Sequence, residues 1–179
     1  KQNKNILINN GYYIPEFHPS GCPRLKYLLQ TKNFFLNKFK CKHGNQKIYI
    51  SRNKSKRRKL INERELISKL RKRNFKIVYM ENLSFKQQVI QSAKSKLMLS
   101  IHGAGLTNLI WMKNNSKTIE IRDPDDIYLN PFYVLCQRLG IEYNYFLTKK
   151  KFLNKINPHN DYEIDVNTFI ENYEKLLSS

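Results

Sequence analysis

Acidic residues are scarce in this 179-residue chain: 14 Asp and Glu stand against 33 Lys and Arg, a net charge of +19. Cysteine is scarcer still. Three residues, an odd number with no dense framework, exclude a small secreted domain stapled by disulfides. No apolar run approaches the roughly 18 residues that cross a bilayer. The opening Lys1-Gln2-Asn3-Lys4 leads into only three apolar residues and does not read as a signal peptide. No repeat of fixed period is visible. What is present is a hydrophobic fraction of 40%, 12% of the chain being aromatic, which excludes disorder along most of its length. The length suits one domain with its own core.

The charge has two readings. Lys, Asn and Ile number 24, 21 and 18, all three encoded by AT-rich codons, so mutational bias supplies part of it. The other reading is a surface that attracts anions: nucleotides, nucleic acid or the face of an acidic membrane. Composition does not choose between them.

Along the chain, short apolar strands alternate with amphipathic helices. Asn5–Ile8 and Tyr12–Ile14 are extended candidates. Arg24–Phe39 has helical spacing, with Pro23 suited to a helix start. Strands are expected at Lys47–Ser51, Phe75–Met80, Leu97–Ile101, Thr118–Arg122 and Tyr143–Leu147. Helices are expected at Asn62–Arg73, from Ser84 to about Ser95, at Leu106–Met112, at Leu129–Leu139 closed by Gly140, and at Asp165–Leu177 capped by Asp165. Asn62 with Glu65, and Ser84 with Gln87, have the spacing of capping boxes. The alternation predicts an α/β, Rossmann-like, doubly wound parallel sheet in a single domain. Residues 1–46 would hold the first elements, 47–148 the motif-bearing core, and 149–179 a connector and a last helix packed back on the sheet.

Ligands of such sheets bind at the carboxyl ends of the strands. The sharpest signal there is His102-Gly103-Ala104-Gly105, a glycine-lined turn between a buried strand and a helix. Glycine lets the backbone approach a ligand closely, and the N–H groups of the following helix favour an anion. A diphosphate is the natural guest, with Thr107 and Asn108 in the helix's first turn. Arg52 follows a strand directly and opens a segment to Lys59 with six cations in eight residues. Guanidinium groups bind phosphate bidentately and keep their charge.

These residues also carry a resemblance. The strand ending in Ser51-Arg52, the Arg-x(n)-Asn-Glu-x-Glu helix start, the Leu83-Ser84-x-x-x-Gln88 helix start and the His102-Gly103-Ala104-Gly105-Leu106-Thr107-Asn108 turn occur in that order between about Ile48 and Arg122. In these the chain resembles glycosyltransferase family 61. The resemblance implies one lobe of a two-lobed GT-B glycosyltransferase, transferring a sugar from a nucleotide-sugar donor, UDP-linked by expectation, to a glycan or protein acceptor without a metal. Arg52 and His102 would be catalytic. Arg57, Gly103, Ala104 and Gly105 would line the diphosphate and sugar. Glu81, Leu83 and Ser84 would face the nucleoside, and Thr107 and Asn108 would orient the loop or touch the donor. Glu120 lies inside a strand, where a carboxylate needs partners, and is a candidate for ribose or loop hydrogen bonds; a rim carboxylate paired with a lysine is the alternative. The acceptor-binding N-terminal lobe is not recognisable before Lys1. The stretch from His18 to Leu25 reads as the crossover from that lobe.

Other constellations rank lower. Asp123-Pro124-Asp125-Asp126 could hold a divalent cation, but Asp-Pro-Asp is ordinary turn chemistry. His18, Cys22, Cys41 and His43 lack the spacing of a zinc site. Cys136 falls on the buried stripe of a helix, and Trp111 reads as core. The basic segment could serve nucleic acid, or the chain could be a non-catalytic homologue acting as a partner subunit. No helix-turn-helix, RNP or zinc-finger pattern supports nucleic acid. Asn53-Lys54-Ser55 and Asn82-Leu83-Ser84 are glycosylation sequons inside the expected donor site, which favours a cytoplasmic chain. The basic surface would suit peripheral membrane contact, and an upstream anchor would place the chain in a lumen instead.

Overall fold

The computed structural model describes residues 24–55, 58–125, 130–149 and 161–178. The expected extended segments at Asn5–Ile8 and Tyr12–Ile14 lie outside them. Five strands form the sheet: β1 (Gln46–Ile50), β2 (Phe75–Val78), β3 (Ser95–Ile101), β4 (Lys117–Arg122) and β5 (Glu142–Leu147). All are parallel, in the order β2-β1-β3-β4-β5. Among the described residues five α-helices accompany them: α1 (Leu25–Lys38), α2 (Glu63–Arg71), α3 (Phe85–Ala93), α4 (Pro131–Leu139) and α5 (Val166–Ser178). The connection from β3 to β4 is a 3-10 helix, Ala104–Trp111, and a short 3-10 turn, Met80–Asn82, follows β2. Among the described residues no helix is long and apolar enough to cross a membrane.

The pleat sorts the core into two layers. Tyr49, Leu97, Leu99, Ile101, Ile119 and Ile121 face α2 and α5. Ile48, Ile50 and Met98 face the opposite side, where Leu28 of α1, Leu106 and Leu109 of the 3-10 helix and Leu135 of α4 close over them. With both faces covered, β3 is buried at six of its seven positions, as interior parallel strands require. The last helix does pack back on the sheet: Phe169 meets Phe146 edge-on at 5.1 Å and Tyr173 meets Phe75 at 5.5 Å.

Local signals hold where partners are local. Ser84 caps α3, its Oγ accepting the Gln87 N–H while Gln87 Oε1 accepts the Ser84 N–H. Gly140 ends α4 at φ +64°. Asp165 Oδ1 accepts the Thr168 N–H at the start of α5. At α2 the expected box is absent. Asn62 Nδ2 donates to Ile164 O (2.7 Å) and Asn62 Oδ1 accepts from Ile164 N–H (3.3 Å), so a distant segment has displaced the local cap. The helix expected at Leu106–Met112 begins two residues earlier and is 3-10, and β2 stops at Val78 rather than Met80.

The chain runs from β1 to β2 on one side, then crosses to β3 on the other. The sheet therefore reverses its winding between β1 and β3. That reversal opens a crevice at the carboxyl ends of the two strands, flanked by Ser51-Arg52 and His102-Gly103.

Candidate functional site

β1 ends at Ile50, and Ser51 N–H still bonds Val78 O at 2.9 Å, so the chain leaves the sheet only at Arg52. A buried carboxylate fixes that exit. Glu63 Oε1 accepts from Tyr49 Oη (2.7 Å) and from Arg52 N–H (3.3 Å). Burial first, then Glu63, raises the Tyr49 hydroxyl well above its ordinary pKa, so it stays a donor. Beyond it the loop tightens, with Ser55 N–H on Arg52 O at 2.8 Å and the Arg52 guanidinium donating to Ser55 Oγ at 3.1 Å.

That guanidinium lies on Gly103. A Cβ built there would stand 2.2 Å from Arg52 Nη1 and 3.0 Å from Cζ. Gly103 also has φ +155° and ψ 176°, a region that is essentially glycine's own. Gly105 is close-packed too, its Cβ position 3.2 Å from Ile50 Cγ2. A 3-10 helix leaves the N–H groups of its first residues outside its own ladder. Here those belong to Ala104 and Gly105, and the first inward bond is Leu106 N–H to Gly103 O at 2.9 Å. Fully buried Leu106 and Leu109 anchor the helix. Asn108, only 8% exposed, donates from Nδ2 to Gly105 O (3.2 Å) and Gln88 Oε1 (3.4 Å).

Between these walls lies a cleft of about 250 Å³, bounded by Arg52, Lys54, Ser55, Glu81, Ser100 and Gly105 among others. Burial, and after it the neighbouring Arg58 guanidinium, lowers Arg52's proton affinity, with Glu81 pulling the other way. Two guanidinium groups thus repel each other at the end of β1. An anion relieves that repulsion.

Of the residues expected from sequence, Arg52, Glu81 and Gly105 line this cleft, and Gly103 lies against the Arg52 guanidinium. Arg57 lies outside the described residues, and Arg58 is the described guanidinium beside Arg52. Leu83 and Ser84 are not walls of this cleft: Leu83 packs toward the core and Ser84 spends its Oγ and N–H on the cap. Thr107 is exposed on the helix. Asn108 orients the loop.

His102 sits one residue before the glycine, and its Nδ1 lies 2.5 Å from Glu120 Oε1. Glu120 is 1% exposed, and its Oε2 accepts from Tyr143 Oη at 2.5 Å. Of the roles expected for Glu120, the loop hydrogen bond to His102 is made, and the carboxylate is buried. Burial and the bond to Glu120 raise the Tyr143 hydroxyl. Burial, helped by the Glu120 charge, pushes the Cys136 thiol up to about 12. Phe132 packs edge-on to the imidazole at 5.3 Å.

The other constellations show ordinary contacts, and Asp126 lies outside the described residues. Asp125 N–H donates to Asp123 Oδ1, an ordinary turn bond. His43 Nδ1 is 3.1 Å from Ala93 O, and His18 and Cys22 lie outside the described residues. Trp111 is buried against Phe35 and Phe85. Sequence reasoning did not single out Lys54 or Tyr143, and it held Glu63 only as part of the Asn-Glu-x-Glu helix start, with no role of its own. Lys54 stood in the basic run, but Glu63 and Tyr143 gain meaning only from strand neighbours.

Comparison with known proteins points to a family. Residues 5–119 match the family model described as Glycosyltransferase 61. Over 131 residues the chain is 29% identical to the EGF domain-specific O-linked N-acetylglucosamine transferase of Drosophila melanogaster, covering 69% of this chain and 25% of that relative. The chain thus spans about a quarter of the relative's length.

Proposed function

This chain belongs to the glycosyltransferase 61 family, and on that premise we propose that it forms the donor-binding lobe of a two-lobed, GT-B enzyme that transfers a sugar from a UDP-linked donor to a glycan or protein acceptor. The observation that carries the reading is the Arg52 guanidinium lying on Gly103 at the crevice between β1 and β3. A diphosphate seated there meets the amides of Ala104 and Gly105 on one side and fixed positive charge on the other.

In the proposed reaction an acceptor hydroxyl oxygen bonds to the anomeric carbon as the bond to the diphosphate breaks, inverting that carbon. The hydroxyl proton passes to a base from the other lobe. Arg52 stabilises the negative charge growing on the leaving diphosphate, a task a metal ion performs elsewhere. Glu81, at the other wall, is placed for the nucleoside. The name of the relative supports N-acetylglucosamine as the first sugar to try. A cytoplasmic setting fits the same reading, since a glycan on Asn53 or Asn82 would crowd Lys54, which donates to Asn82 Oδ1 at 3.1 Å beside the cleft.

The test is calorimetric titration of the chain with UDP and with UDP-N-acetylglucosamine, with and without EDTA. Saturable binding unaffected by EDTA and weakened in Arg52→Ala is expected. Duplex DNA or RNA binding with a steep salt slope, indifferent to Arg52→Ala and Gly103→Ala, would favour the nucleic-acid reading instead.

A further inference from the structure

The residues behind His102 form an ordered chain that the donor-site reading leaves unused. Arg122 Nη1 is 3.5 Å from Tyr143 Oη, Tyr143 Oη donates to Glu120 Oε2, and Glu120 Oε1 faces His102 Nδ1. Both Glu120 oxygens are thereby committed, in a strand interior where an unpartnered carboxylate would be costly. A carboxylate only accepts, so the nitrogen facing it carries the proton. A histidine's second nitrogen is set by what the first one bonds.

We propose that Tyr143 is a positioning residue of this site: through Glu120 it holds His102 in the form protonated at Nδ1, making Nε2 the acceptor nitrogen toward a hydroxyl of the bound substrate. The substrate part rests on the donor-site reading. The tautomer part rests on the geometry of four residues from β4, β5 and the turn after β3, brought side by side by the register that pairs Ser100 with Glu120 and Thr118 with Tyr143. Phe132 holds the ring from the helix side, where Cys136 adds only a neutral thiol.

The experiment is imidazole nitrogen NMR on the full chain at a pH where the ring is neutral, His102 being assigned by loss of its signals in His102→Gln. The wild-type ring is expected as Nδ1–H. Tyr143→Phe, which keeps the ring and removes one hydroxyl, is expected to shift both His102 nitrogen signals. Glu120→Leu is expected to abolish Nδ1–H as the main form. An Nε2–H ring in the wild type, or a Tyr143→Phe spectrum superimposable on it, overturns the proposal. UDP is titrated into the same samples. An Nδ1–H ring that responds to Tyr143→Phe, in a protein that binds no UDP, overturns the donor-site reading alone.

Discussion

The guanidinium of Arg52 occupies the space that a side chain at Gly103 would need, with Nη1 2.2 Å from the position of the missing Cβ. Arg52 lies just past the end of β1 and Gly103 just past the end of β3, so the contact spans the crevice where the sheet reverses its winding.

Gly103→Ala tests this contact from the glycine side. The methyl group must displace Arg52, and the backbone at φ +155° costs a non-glycine residue about 1–3 kcal/mol. Thermal unfolding should show that loss. UDP affinity should fall as well, because the arginine is moved from its seat.

Arg52→Ala tests it from the other side. A charged hydrogen-bonding partner of a phosphate contributes about 1.5–3 kcal/mol, so UDP should bind roughly 10- to 100-fold more weakly. Arg52→Lys should recover only part, since an ammonium cannot bond bidentately. Titration calorimetry reads both.

Ser84→Ala separates fold from site. Removing the hydroxyl that caps α3 should cost about 1 kcal/mol of stability in denaturant unfolding. Donor affinity should not change, since Ser84 is not a wall of the cleft.

Asp165 carries a pH signature. The Thr168 N–H first, and Lys149 further on, hold its carboxyl below the ordinary range. A group with a lowered folded pKa adds stability above its unfolded pKa and loses it as pH falls through the folded one. Asp165→Asn keeps a capping oxygen but not the charge. Its melting temperature should lie below the wild type's at neutral pH, and the gap should close as the carboxylate range is crossed downward.

Cys136 should resist thiol reagents. With its pKa pushed up to about 12 and its side chain buried, the native thiol offers almost no thiolate at mildly alkaline pH. Ellman's reagent should modify it only after denaturant is added.

Much of this was readable from sequence where the partner lies close along the chain. The Ser84 box needs only Gln87, and Gly140 needs only the helix before it. The His102–Gly105 turn was visible because two glycines between an apolar strand and a helix have few other uses. The rest depends on who lies alongside whom. Asn62 looked like the cap of α2, yet Ile164, more than a hundred residues on, supplies both its hydrogen bonds. Glu120 looked like a ribose ligand or a rim charge because its neighbours on β3 and β5 were unknown; the register gives it His102 and Tyr143 instead. Leu83 and Ser84 were set beside Glu81 by the family resemblance, and in the structure Leu83 packs on the core and Ser84 caps α3.

Amide chemical-shift mapping with UDP tests the central claim most directly. The donor-site account predicts saturable shifts concentrated at Gly103, Ala104, Gly105 and the Arg52 loop, saturating at higher UDP in Arg52→Ala. No shifts at millimolar UDP, or shifts that leave the glycine turn untouched, would contradict it.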